Sequence, residues 1–183
     1  MFIDSGDYII SDFNLKEVEH VLEHNTMPDL YLWRWLNEEN HEYSSERNPL
    51  LHGWVYRREF LELYHITFCR EGSYLNEDVG FNRACQLILN NIKLYDDSPH
   101  YQFYEAPIYM YTYNKDSITH TNNKEFLWTK QTLALITNAR HAFAIAKAVN
   151  VHESILINEV SAIMVGLYID FLRIAAKHPE YAQ

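Results

Sequence analysis

Two short acidic stretches hold the residues best suited to chemistry in this sequence. Asp4-Ser5-Gly6-Asp7 follows the apolar Met1-Phe2-Ile3, and Glu77-Asp78 closes the polar loop that opens at Gly72. By residue type alone, Asp4, Asp7, Glu77 and Asp78 are the set a metal-dependent hydrolase would use, since hard cations take carboxylate oxygen. Each also has a structural explanation. A carboxylate in the first turn of a helix is favoured by the free N–H groups there, and Asp4 and Asp7 suit an Asx-type turn ending a strand. His20 and His24 have the i, i+4 spacing of a metal pair, but Glu19 and Glu23 beside them make a solvated helix face the better reading.

The elements around these residues follow from periodicity. Behind Asp78, the positions Val79, Phe81, Cys85, Leu87, Ile88 and Ile92 trace one apolar face of a helix that ends near Asn90-Asn91. Earlier, Ser11-Asp12 precede a helical pattern of Leu15, Val18, Val21 and Leu22 that closes before Pro28. Asp29 to Leu36 reads as a strand and Asn37 to Asn48 as a loop or hairpin. Pro49 to Tyr56 is apolar with a break at Gly53, and a short helix, Arg57 to Tyr64, leads into a strand-like His65 to Phe68. Asp96-Asp97-Ser98-Pro99 is a turn signal, after which Tyr101 to Tyr104 and Ile108 to Tyr113 read as strands around Pro107. From Lys124 onward the pattern is helical throughout: Lys124 to Val149 and Glu153 to Lys177 form an antiparallel pair broken at Asn150 and closed off by Pro179.

Bulk composition narrows the class. At 183 residues and 48% hydrophobic content the chain is long enough for a sizeable core, and five Gly and five Pro leave little room for disorder. A formal charge of −10 argues against a nucleic-acid backbone as partner, which asks for a basic face. It leaves open an anionic small ligand held through a metal. Fourteen Tyr and four Trp would serve either a core or a surface that stacks on bases and sugars. Cys69 and Cys85 lack CxxC spacing and fit a reduced, cytoplasmic protein. No signal peptide is visible. The apolar stretch Ile155 to Ala176, interrupted by Glu159, Asp170 and Arg173, reads as a buried helix and not as a membrane span.

Four motifs, in order over residues 2–119, together resemble the second half of family-2 glycosyltransferases of the GT-A fold. Phe2-Ile3-Asp4-Ser5-Gly6-Asp7-Tyr8-Ile9 looks like their strand-terminal D-S-D-D-Y signature. His52-Gly53-Trp54-Val55-Tyr56-Arg57-Arg58-Glu59-Phe60-Leu61, followed by Ile66-Thr67-Phe68, is similar to the segment before the acceptor site. Asn76-Glu77-Asp78-Val79-Gly80-Phe81 looks like the E-D-x-x-F motif. Pro107 to Tyr113 with Asp116-Ser117-Ile118-Thr119 matches the closing strand and turn.

The resemblance implies an α/β fold: a partial GT-A-like mixed sheet with flanking helices, then a C-terminal antiparallel helix pair. Residues 1–120 would be the acceptor-side half of the transferase domain, and 121–183 a helical extension. It implies transfer of a sugar from a nucleotide-diphosphate donor to a glycan or polysaccharide hydroxyl with inversion. Asp78 would be the general base and Glu77 its orienting or acceptor-binding neighbour. Asp4 would sit on the nucleotide side, with Tyr56 and Arg57 lining the acceptor or diphosphate side. Mg²⁺ or Mn²⁺, with Asp4 and Asp7 as its protein ligands, would bind the diphosphate. Here the sequence departs from the family: Gly6 stands at the usual metal-ligand position, and Asp7 is the adjacent substitute. Trp54 offers a sugar-stacking ring, although its apolar neighbours favour the core.

The implied setting is polysaccharide assembly in the cytoplasm at the inner face of a membrane, with peripheral association. The C-terminal helices are a candidate surface for a homo-oligomer. The family's nucleotide-binding half would precede Asp4, so the sequence is expected to be a C-terminal portion with little or no transfer activity alone. Gly6 also motivates a second reading: a degenerate transferase relic acting as a binding or assembly module. The enzymatic reading requires the two acidic stretches to converge on one cleft.

Overall fold

The structure is a computed structural model and describes residues 1–3, 6–10, 12–24, 28–45, 50–70, 77–112 and 124–177. Its elements are β1 (Tyr8–Ile9), α1 (Asp12–His24), β2 (Leu30–Asn37), β3 (Trp54–Tyr56), α2 (Arg58–Leu63), α3 (Glu77–Ile92), β4 (Tyr101–Tyr111), α4 (Lys124–Ala148) and α5 (Glu153–Lys177). The strands form one mixed sheet in the order β1-β4-β2-β3. Its centre is the parallel pair β2–β4, running from Leu30↔Tyr101 to Asn37↔Tyr111, and the two edge strands are antiparallel to their neighbours.

Alternation along β2 divides the core. Leu30 and Leu32 point to one face, where they join Trp54, Tyr56, Phe81, Leu87 and Ile88. Tyr31 and Trp33 point to the other, with Val18 of α1, Val55, Ile108 and Tyr109. Period-two side-chain direction demands this split, and helices on both faces match the near-continuous apolar run of a strand paired in parallel. Ala142 and Ala146 of α4, with Val151 and Leu156 beyond it, belong to the same buried cluster as the sheet residues on the α3 side. Trp33, Trp54 and Tyr109 are all buried, so much of the aromatic load is core.

Two glycines permit close approaches. Gly53 has φ +79°, and a Cβ there would lie 2.2 Å from the Trp33 carbonyl oxygen. This lets the Trp33 N–H donate to the Gly53 carbonyl at 3.0 Å and carries the chain into β3, a strand that the Gly53 break conceals in the sequence. Gly80, on α3, faces Asn138 of α4, whose Cβ would be 2.6 Å from an added methyl. The helices therefore touch where a larger residue would hold them apart.

Several sequence expectations need correcting. His65 to Phe68 is not a strand: the chain leaves α2 through His65 at φ +51°, the Ile66 N–H returns to the Leu61 carbonyl at 2.9 Å, and the segment runs on irregularly. Tyr101 to Tyr111 is one strand and not two, because a register irregularity at Arg34, opposite Pro107, absorbs the proline's missing donor. The buried helix expected over Ile155 to Ala176 is largely exposed. Met164, Val165 and Tyr168 are each about 60% accessible. Only the first turns of α5 meet the core, through Leu156 and the Arg83–Glu159 pair at 2.8 Å. The turn between α4 and α5 does form at Asn150, in the left-handed conformation at φ +59°.

Candidate functional site

The group at the start of α3 is built from β3, α3 and the extreme N-terminus. Helix α3 begins at Glu77, with both expected acids in its first turn. Asp78 is half-buried, and its Oδ1 accepts the Val79 N–H at 2.8 Å, so one oxygen turns toward its own helix terminus. One turn further on, Asn82 faces the same way as Asp78. Its Oδ1 accepts a short hydrogen bond from the Tyr56 hydroxyl, and its Nδ2 donates to the Leu50 carbonyl at 2.9 Å. Burial pushes the Tyr56 phenol well above its ordinary range, and the neighbouring Cys85 and Asp78 push it the same way, against the pull of the Asn82 bond. Burial likewise raises the Cys85 thiol, and both cysteines are free.

Phe2 joins this group from the N-terminus. Its ring lies 5.5 Å from Phe81, 5.1 Å from Phe68 and 5.9 Å from Tyr56, centroid to centroid. A residue two places before Asp4 therefore packs on a residue three places after Asp78. Asp4 itself, Asn76 and the loop before it lie outside the described residues, as does the Asp116-Ser117-Ile118-Thr119 turn.

Asp7 is placed differently, and its carboxylate is almost fully enclosed. Its Oδ2 accepts the Tyr109 hydroxyl at 2.6 Å, its Oδ1 accepts the Thr112 N–H at 2.8 Å, and His52 Nε2 stands 3.9 Å away. His52 stacks on Tyr109 with centroids 5.0 Å apart, and its edge meets Trp35 at 5.7 Å. A carboxylate so engaged anchors the N-terminal segment to β4. These are the bonds it would have to share to reach a cation. Gly6 beside it has φ +100° with open space around it, a conformation that resists any side chain, including the aspartate found there in the family motif.

Arg57 is drawn to the opposite side of the sheet edge from the Tyr56 ring. Its N–H donates to the Asp29 carbonyl at 2.9 Å, its guanidinium lies 4.0 Å from the Asp29 carboxylate, and it hydrogen bonds the Tyr31 hydroxyl. There it borders an open cavity of about 470 Å³, whose lining also includes Leu22, Tyr31, Tyr56 and Arg58. The structure thus brings Tyr56 near Asp78, and Tyr56 and Arg57 border one cavity while the Arg57 guanidinium is engaged by Asp29 and Tyr31. Trp54 is a core residue and not a platform. His20 and His24 are exposed neighbours whose only described polar link is His24 Nδ1 with the His20 carbonyl at 2.8 Å. Among the described residues no group of three or more His, Cys, Asp or Glu could hold a metal ion. Sequence reasoning missed Asn82; its one signal was an amide on the apolar face of α3, four residues after Asp78.

No family model matches the sequence, and no curated protein does either. Among solved structures, residues 1–349 of S. aureus TarS in complex with UDP-GlcNAc superpose with a TM-score of 0.51 at 17% identity, covering 84% of this chain and 48% of that one. The same protein in complex with UDP gives a TM-score of 0.47, also at 17% identity, over 80% of this chain and 44% of that one. The first likeness shows a glycosyltransferase-like fold, a curled four-strand mixed sheet with flanking helices, and the chain spans about half the length of TarS 1–349.

Proposed function

We propose that this chain is the acceptor-side portion of an inverting glycosyltransferase that uses a nucleotide-diphosphate sugar. The observation that carries the reading is the packing of Phe2 on Phe81, which brings the segment leading to Asp4 against the first turns of α3 that bear Glu77 and Asp78. The ordered motifs and the TarS-like fold support it, and TarS itself was crystallised with UDP-GlcNAc. In this reading the acceptor hydroxyl gives its proton to the Asp78 carboxylate as its oxygen attacks the anomeric carbon. The nucleoside diphosphate leaves from the opposite face, which inverts the centre. Glu77 orients the acceptor, and Asn82 with Tyr56 fixes the wall behind Asp78.

A divalent cation, Mg²⁺ or Mn²⁺, would neutralise charge on the departing diphosphate. Among the described residues no group of carboxylates and imidazoles makes a site for it, and in this reading Asp4, with Asp7 beside it, would hold it. The setting that goes with the reading is glycan or polysaccharide assembly in the cytoplasm, at the inner face of a membrane.

Thermal melting with UDP-GlcNAc and UDP, with and without Mn²⁺, is the first test, because a ligand that binds only the folded state raises the midpoint. A tight, metal-dependent rise would mark an intact donor site in this chain, and no rise is the outcome expected of the acceptor-side portion alone. Where UDP release is measurable, Asp78→Asn should lower turnover by about 10²- to 10⁴-fold, the usual worth of a general base, and leave the thermal shift intact. Undiminished release would remove Asp78 from the reaction. Transfer by the 183 residues alone at an ordinary enzymatic rate would overturn the assignment to one portion of the domain, and transfer that stays absent when the nucleotide-binding half is supplied favours the assembly-module reading.

A further inference from the structure

We infer that α5 is a self-association helix: its exposed apolar stripe is covered by the same stripe of a second copy of this chain. Ile157, Val160, Met164, Tyr168 and Phe171 are all exposed. Their spacing of 3, 4, 4 and 3 residues keeps them within an arc of about 80° along roughly 21 Å of helix. Glu159, Asp170 and Arg173 lie on the other side. Glu159 is tied to Arg83 at 2.8 Å, and Asp170 to Arg173 at 3.3 Å. Val165, Ile169 and Leu172 are exposed as well and widen the apolar face to about half of the helix, opposite the charged side, so the five form the centre line of a face that can seat against another helix.

The size of the stripe suits a second copy. The five side chains present roughly 600 Å² to solvent and Val165, Ile169 and Leu172 add to that, so pairing the face with itself can remove about 1,200 Å² in total, the lower bound of a specific protein interface. A twofold pair is the simplest way to satisfy a single patch with an identical one. A lipid bilayer suits it less well. Among the described residues α5 is the one helix long and apolar enough to cross a membrane, but its charge-free run is the ten residues between Glu159 and Asp170. That is about 15 Å, half of a bilayer core. A helix lying in the interface wants a basic polar face, whereas α5 carries Glu153, Glu159 and Asp170 against Arg173 and Lys177, in a chain of net charge −10.

The test is the mass of the chain in solution by light scattering or sedimentation equilibrium. A species of twice 21.8 kDa is expected, dissociating on dilution. Met164→Glu and Tyr168→Glu should each convert it to monomer with an unchanged melting midpoint, since neither side chain is packed. As a readout independent of those charges, Met164→Cys should form a disulfide-linked dimer under mild oxidation, and Asn158→Cys, off the stripe, should not. A monomer at all concentrations overturns the inference, as does indefinite aggregation without a discrete dimer. A monomer that floats with neutral phosphatidylcholine vesicles through the same stripe assigns the surface to lipid instead and equally overturns it. None of these outcomes depends on the transferase reading.

Discussion

At the scale of single residues, the decisive contrast is between two aspartates. Asp78 keeps one oxygen on its own helix and stays half-open, whereas Asp7 is enclosed by Tyr109 and Thr112. Asp7→Asn should therefore destabilise the fold by about 1–3 kcal/mol in urea titrations, because the amide cannot accept at both positions and a buried partner is left unsatisfied. Gly6→Asp should lower stability by about 1 kcal/mol through its φ of +100°. The Tyr56 phenol gives a pH signature. Its folded-state pKa is raised by burial, so the neutral form is favoured in the fold, and its contribution is complete below the unfolded value of about 10. Stability should fall as pH rises from about 10 toward the folded value. Tyr56→Phe should flatten that decline in urea midpoints taken from pH 8 upward, at the expense of the bond to Asn82. The acids themselves could be picked out in the sequence, and the start of α3 with them. The Asp7–Tyr109 bond could not, since it spans 102 residues and nothing local encodes it.

At the scale of elements, the two close approaches set where strands and helices can meet. Gly53→Ala should cost at least about 3 kcal/mol, since a methyl would overlap a backbone oxygen of β2 and the residue would be held at positive φ. Gly80→Ala should cost about 1–3 kcal/mol, as α3 and α4 move apart over Asn138. Denaturant midpoints would check both, and the first should show the larger shift. Apolar periodicity made α1 and α3 readable within a few residues, long runs of helix formers bounded by Asn150 and Pro179 made α4 and α5 so, and the strand-rich Asp29 to Leu36 marked β2. Three residues were too few to reveal β3 around Gly53. Pro107 misled in the other direction, suggesting a break where a local irregularity lets β4 continue. Periodicity also says that a helix has an apolar face but not what covers it, which is why α5 reads as buried and stands exposed.

At the scale of the whole molecule, the core is complete without the distal part of α5. Leu156 and Glu159 hold its first turns, and most of the side chains beyond them are exposed. A chain ending at Ser161 should keep its melting midpoint under dilute, monomeric conditions. The central ladder has a different consequence. Leu30 pairs with Tyr101, so the sheet cannot begin until a loop of about seventy residues has closed, and both edge strands are too short to form without that pair. Such distant pairing slows folding toward the millisecond-to-second range. During that delay the faces of α3 and β2 are bare, and the nascent polypeptide is most exposed to proteases and chaperones before Tyr101 emerges to lock the two halves together.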